Sequence, residues 1–234
     1  MREAQGVTRI KFCGMTRVDD AAYARELGAA YVGVIFTESP RKVSVVTARS
    51  VFDAAGSDLG HVAVFGEETT DEIAAKAADS GADIVQLHCR SGAADIESLR
   101  KKFSGQIWAV ISVEPHAQSL PDDAVVIADA ADALVLDTRV GGRSGGTGTP
   151  FSWDRFSGAF EQLREHTKLV VAGGLTPENV RDAIGFLAPE IVDVSSGVEI
   201  SPGVKDPAKM KAFAEAVRSA SIVEREIPPP LKVE

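Results

Sequence analysis

The sequence is poor in cysteine, in positive charge and in long apolar runs. Two cysteines in 234 residues make no disulfide framework, and free thiols suit a reducing cytosol. Lys and Arg number 25 against 34 Asp and Glu, a net charge of −9. That argues against non-specific binding to nucleic acid or anionic membrane, which needs basic stripes. Any anion must be bound locally, by backbone N–H groups and a few cations. No apolar run approaches the roughly 18 residues that span a bilayer. The opening Met1-Arg2-Glu3-Ala4-Gln5-Gly6 lacks the apolar stretch of a signal peptide. No linker splits the chain. The expectation is a soluble cytoplasmic enzyme with one catalytic domain over 1–220 and a tail over 221–234.

Short apolar runs recur from end to end. They are Ile10–Cys13, Tyr31–Phe36, His61–Phe65, Ile84–His88, Ile107–Val113, Ala133–Asp137, Leu169–Ala172 and Ile191–Val194. Most are apolar on both faces and rich in Val and Ile, as parallel strands covered by helices are. Helical patterns lie between them. Thr16-Arg17-Val18-Asp19 reads as a capping box for a helix ending at Gly28. Thr69-Thr70-Asp71-Glu72 opens another, closed by Gly81. Thr176-Pro177 and Asp206-Pro207 each put a cap residue before a proline at the first helical position. The last helix is expected over about Pro207–Ser219. Pro115–Asp132 reads as short or broken. Eight strand–helix units predict an α/β fold, a (β/α)₈ TIM barrel.

In such a barrel, catalytic residues sit at the carboxyl ends of the strands. Cys13 ends the first run, His88 the fourth, Asp137 the sixth. Each alone has a plain explanation: a buried thiol, a hydrogen-bonded core histidine, a loop cap. Their shared end of the barrel changes the odds. Residues two apart face the same way, so Lys11, Gln86 and Asp193 fall inside with them. Strands one and eight are neighbours in a closed barrel, so Lys11 and Asp193 are expected to pair. A cation beneath Cys13 would favour its thiolate. Glycines gather in the later loops. Gly173-Gly174 and Ser195-Ser196-Gly197 follow runs seven and eight, where barrels often cradle phosphate. The run 139–148 after the sixth reads as a flap.

These residues carry a resemblance. Lys11-Phe12-Cys13-Gly14-Met15-Thr16, Ser39-Pro40-Arg41-Lys42-Val43-Ser44 and Val85-Gln86-Leu87-His88 resemble motifs of the phosphoribosylanthranilate isomerase family. So do Leu136-Asp137-Thr138 with Gly145-Gly146-Thr147-Gly148 and Phe151-Ser152-Trp153. Ala172-Gly173-Gly174-Leu175 with Pro177-Glu178-Asn179-Val180, then Val192–Glu199, Ser201-Pro202-Gly203 and Lys205-Asp206, complete the series. Three departures stand out. Cys89 replaces a usual glycine, Arg143-Ser144 lengthens a loop, and the tail after Ser219 has no counterpart.

The resemblance implies an Amadori rearrangement within tryptophan biosynthesis, on a small phosphosugar. It implies Asp137 as general acid and Cys13 as general base. It implies Arg41, His88 and Asp193 as substrate contacts, with Gly173, Gly174, Ser195, Ser196 and Gly197 around the phosphate. It calls for neither metal nor organic cofactor, and fits a monomer or homodimer. Nucleic acid and membrane are not expected partners. The nearest alternative is the aminoaldose isomerase of the histidine pathway, which uses a carboxylate where this chain has Cys13. A phosphate-binding barrel without turnover is another, against which intact Cys13 and Asp137 argue. A thiol-nucleophile hydrolase would want a base beside Cys13, and His88 falls nearly across the barrel.

Overall fold

Strands with apolar side chains on both faces must be covered on both, and here they close on themselves. In the computed structural model, which describes residues 7–88, 92–113, 119–137 and 156–226, eight parallel strands form a closed barrel. They are β1 (Arg9–Phe12), β2 (Tyr31–Ile35), β3 (Gly60–Phe65), β4 (Ile84–Leu87), β5 (Gln106–Ser112), β6 (Ala133–Asp137), β7 (Lys168–Ala172) and β8 (Ile191–Val194). The barrel closes where Lys11 pairs with Asp193 in register. The expected flap 139–148, the Phe151-Ser152-Trp153 motif, Cys89 and the tail from 227 lie outside the described residues.

Helices α1 (Val18–Glu26), α2 (Val45–Ala55), α3 (Thr70–Ser80), α4 (Ala93–Arg100), α5 (Ala124–Ala130), α6 (Ser157–Arg164) and α7 (Val180–Leu187) follow the first seven strands. A 3₁₀ turn at Ser196–Val198 and a hairpin of β9 (Glu199–Ser201) and β10 (Val204–Lys205) separate β8 from α8 (Pro207–Glu226). No helix among the described residues is long and apolar enough to cross a membrane.

The caps test the local reading. Thr69 and Glu72 form the expected reciprocal capping box. Asp206 accepts from the amides of Ala208 and Lys209. At Thr176 the hydroxyl accepts from the Glu178 amide, but the regular helix begins only at Val180. Thr16 does not cap α1. Arg17 holds the cap position without a side-chain bond, and the Thr16 hydroxyl donates instead to the Gly203 carbonyl at 2.5 Å. The expected short fifth helix is seven residues long. The last helix runs past Ser219 to Glu226.

Two apolar shells result. Tyr31, Val62, Ile84, Trp108, Val135 and Val170 pack inside the barrel. The edge of one ring meets the other where Tyr31 and Trp108 sit 5.0 Å apart. Phe12, Phe52, Leu99, Ile184 and Phe213 belong to the larger shell between strands and helices. The inner shell leaves its polar members, Lys11, Gln86, Asp137 and Asp193, all buried, nearer the carboxyl ends of the strands.

Candidate active site

Alternation along β1 sends Phe12 outward against Phe213 and leaves Lys11 and Cys13 inside. The Cys13 amide donates to Val194 and the Met15 amide to Gly33, both at 2.9 Å, so the thiol is fixed between β8 and β2. Gly14, at φ +71, makes the turn that carries the chain away. A Cβ on Gly33 would stand 2.9 Å from the Cys13 Sγ and 3.2 Å from the Lys11 Cε. An isolated glycine inside a strand marks such a close approach, and here it makes room for the thiol. Gly33→Ala is expected to push Sγ aside and cost about 1–3 kcal/mol by overpacking. Urea unfolding and the rate of Cys13 alkylation would register both effects; unchanged values would refute the crowding.

The expected pair forms beneath the thiol. Lys11 Nζ donates to Asp193 Oδ2 at 2.6 Å and to Gln86 Oε1 at 3.0 Å. Burial pulls the Lys11 pKa down, but Asp193 and Cys13 outweigh it and hold the ammonium above its ordinary 10.5. The expected effect on the thiol is not the net one. Burial pushes Cys13 above its ordinary 9.0, and the opposing pulls of Lys11 and Lys205 do not overcome it. Two cations still lose because a thiolate here has given up nearly all its water and Asp193 opposes its charge. The resting form at neutral pH is therefore the thiol.

Asp137 ends β6 with its carbonyl accepting from Val113 at 2.8 Å. It is buried and lies three strands round the rim from β1. His88 follows β4, half-buried, its amide bonded to the Phe65 carbonyl at 2.8 Å. The loop after β2 folds back through Arg41 N to Ser39 Oγ and Lys42 N to Ser39 O. Arg41, expected as a carboxylate binder, already grips a carboxylate of the chain itself. Its Nε donates to Glu199 Oε1 at 2.8 Å and its Nη2 to Oε2 at 2.6 Å.

The glycine loops after β7 and β8 lie side by side. Gly173 and Gly174 have φ of +88 and +64, a conformation open to glycine. A Cβ on Gly197 would fall 1.9 Å from the Leu175 carbonyl oxygen, so only glycine lets the two loops touch. Two buried oxygens here, Asp193 Oδ1 and Ser195 Oγ, have no hydrogen-bond partner among the described residues. Buried polar atoms of that kind call for a ligand or water. Among the described residues no three His, Cys, Asp or Glu side chains could hold a metal ion together.

A recess of about 430 Å³ at the other end of the barrel is lined by Asp132, Arg164, His166 and Glu190 among others. Arg164 spends its donors on Glu190 and on the Leu187 and Ala188 carbonyls. Those bonds tie the end of α7 to the barrel, as befits the face that carries stability.

The family model described as N-(5'-phosphoribosyl)anthranilate (PRA) isomerase matches residues 10–216. The chain belongs to that family. Its members are aldose–ketose isomerases of tryptophan biosynthesis. The chain is 37% identical to the N-(5'-phosphoribosyl)anthranilate isomerase of Pseudomonas fluorescens, over 90% of this chain and 98% of that one. With the Chlamydia caviae enzyme of the same name identity is 39%, covering 88% and 94%. The phosphoribosyl anthranilate isomerase of Thermotoga maritima superposes with a TM-score of 0.76 at 29% identity, covering 91% and 99%. A structure of such an isomerase in complex with reduced 1-(o-carboxyphenylamino)-1-deoxyribulose 5-phosphate matches equally well, with the same score, identity and coverage.

The family motifs contain two residues to which the sequence assigned no role, Glu199 and Lys205. Both are buried, and they fall in the family motifs Val192–Glu199 and Lys205-Asp206. Charged residues inside such motifs were the available signal. Gly33 is a further site residue, and a lone glycine amid Val and Ile is itself a sign of close packing.

Proposed function

We propose that the chain converts N-(5'-phosphoribosyl)anthranilate to 1-(2-carboxyphenylamino)-1-deoxyribulose 5-phosphate, with Asp137 as general acid and Cys13 as general base. The observation that supports it most is a buried thiol just past β1 and a buried carboxylate ending β6, at one mouth of a barrel in this family. Asp137 protonates the furanose ring oxygen. The ring opens and the nitrogen lone pair forms an iminium with the first sugar carbon. That cation acidifies the neighbouring C–H and favours the thiolate, so Cys13 gives up its thiol proton to solvent and then takes the C–H proton. The enolamine then tautomerises to the ketone. In that step the thiol delivers its new proton to the first sugar carbon, the enol O–H proton returns to the Asp137 carboxylate, and the thiolate regains a solvent proton as product leaves, so atoms and charge balance over the cycle.

The raised thiol pKa fits this order. Cys13 needs to become a base only after the iminium has formed, and the iminium supplies a cation that favours the thiolate. The free protein binds the proton, so kcat/KM should climb with pH toward an apparent pKa above the ordinary 9.0 of the thiol. The kcat profile, which reports the complex, should climb at lower pH. Coincident profiles would count against substrate-induced ionisation.

The remaining contacts follow the same reading. The loops at Gly173-Gly174 and Ser195-Ser196-Gly197 hold the phosphate, and Ser195 Oγ meets one of its oxygens. Asp193 Oδ1 accepts from a substrate N–H or O–H, and His88 lines the far side of the mouth. Arg41 meets the anthranilate carboxylate, its fork already oriented by Glu199. Arg41→Ala should raise KM about tenfold with kcat little changed, because that contact exists in ground and transition states alike. A loss confined to kcat would overturn the role.

The direct test follows the fluorescence of phosphoribosylanthranilate generated in situ, beside the histidine-pathway aminoaldose. Turnover of the first substrate is expected. Turnover of the second alone would reverse the assignment.

A further inference from the structure

A buried ion pair behind the mouth moves no proton in the chemistry above. Lys205 Nζ donates to the Cys13 carbonyl at 2.6 Å, to the Ser195 carbonyl at 3.2 Å and to Glu199 Oε1 at 2.9 Å. Three donors meet three acceptors, so the ammonium is satisfied without water. Glu199 Oε1 also accepts from Arg41 Nε and from the Gly203 amide, and Oε2 accepts from Arg41 Nη2. We propose that Glu199 and Lys205 are positioning residues, a single bridge that sets the peptide of Cys13, the Ser195 loop and the Arg41 guanidinium in fixed relation to one another.

The hairpin carrying the bridge is itself anchored. The Lys205 amide donates to Asp20 Oδ2 at 3.1 Å, and Lys209 Nζ donates to the Glu199 carbonyl at 3.0 Å. Stability alone gives a weak reason for such a pair, since apolar side chains of similar volume serve a core as well or better. What distinguishes this one is where its bonds end. They reach the backbone of the reacting thiol, the loop after β8 and the cation at the mouth. Burial lowers Lys205 below its ordinary 10.5 despite Glu199. Arg41 and Lys205, against the pull of burial, hold Glu199 below its ordinary 4.5. The thiol thus faces Lys11 from β1, Asp193 from β8 and Lys205 from β10.

The kinetic consequences rest on the isomerase reading; the bridge and its effect on the thiol do not. Lys205→Met removes a cation near Cys13 and unties its peptide. The pH midpoint of Cys13 ionisation, followed by ultraviolet thiolate absorbance in a Cys89→Ser background, should rise by about one unit. Activity toward phosphoribosylanthranilate should fall at least about tenfold, chiefly in kcat. Glu199→Gln leaves Lys205 on the Cys13 carbonyl but breaks the fork to Arg41. It should raise KM about tenfold and spare kcat. Should Lys205→Met not fold, Lys205→Gln keeps two uncharged N–H donors, removes the cation and is read the same way. An unmoved midpoint, with both folded variants losing kcat and KM alike, would overturn the bridge. A wild-type chain that does not turn over phosphoribosylanthranilate would overturn the isomerase reading, while the midpoint still judges the bridge.

Discussion

Cys13→Ala should lose about 10²–10⁴-fold in kcat, and Asp137→Ala about as much, with both proteins folded. The magnitude follows from what each group is asked to do. A positioned acid or base contributes that range because it moves a proton in the transition state, which bulk water does poorly inside a dry mouth. Cys13→Ala also removes a buried sulfur from beside Gly33, so a small change in stability accompanies the kinetic loss. The double variant should be little worse than either single one. Ring opening and proton abstraction are successive steps on one path, and losing either blocks it. Circular dichroism and urea unfolding establish the fold; the fluorescence assay supplies the rates. Near wild-type turnover by either single variant would end its assignment.

The barrel was legible because its strands are covered on both faces. Continuous apolar runs of four to seven residues, separated by helical periods, leave few architectures open. All eight runs are strands: Ala133–Asp137 and Ile191–Val194 coincide at both ends, and no other end differs by more than one residue. At the mouth four of the strands end one residue before the apolar run does. Cys13, Phe36, His88 and Val113 close apolar runs but lie just beyond the strands, where the chain leaves the sheet at the mouth. A composition rule cannot see that departure, because these residues remain buried or half-buried.

What sequence spacing could not supply was long-range partnership. Thr16 has the local pattern of a helix cap, yet its hydroxyl bonds a carbonyl 187 residues away. Local and tertiary acceptors compete for one proton, and only the fold decides between them. The hairpin of β9 and β10 is too short for a periodic signal. Its turn was nevertheless written out: Pro202 before Gly203, with φ +82 at the glycine, suits a type II turn. The thiol shows a further limit. Alternation located Lys11 two residues from Cys13 correctly, but neighbours alone do not give depth, and depth reversed the sign of the shift.

Lys11→Met should destabilise the fold by about 3–5 kcal/mol, because it leaves the Asp193 carboxylate buried without its cation. Oδ2 loses its 2.6 Å partner, Oδ1 has none among the described residues, and Gln86 loses a donor. A loss of that size is a large share of a total stability of about 5–15 kcal/mol. Removing the anion as well, in Lys11→Met with Asp193→Leu, should recover most of it, since an apolar pair carries no desolvated charge. The pH dependence has a definite sign. Lys11 is raised above its ordinary 10.5 in the folded state, so its contribution is complete below that pH and fades as pH climbs through the folded value. The gap in unfolding free energy between wild type and Lys11→Met should therefore stay level to about pH 10.5 and narrow beyond it. A gap below about 1 kcal/mol at neutral pH, or one that widens in alkali, would show that the pair holds little of the barrel together. Its place beneath Cys13 would then have to be explained by the thiol alone.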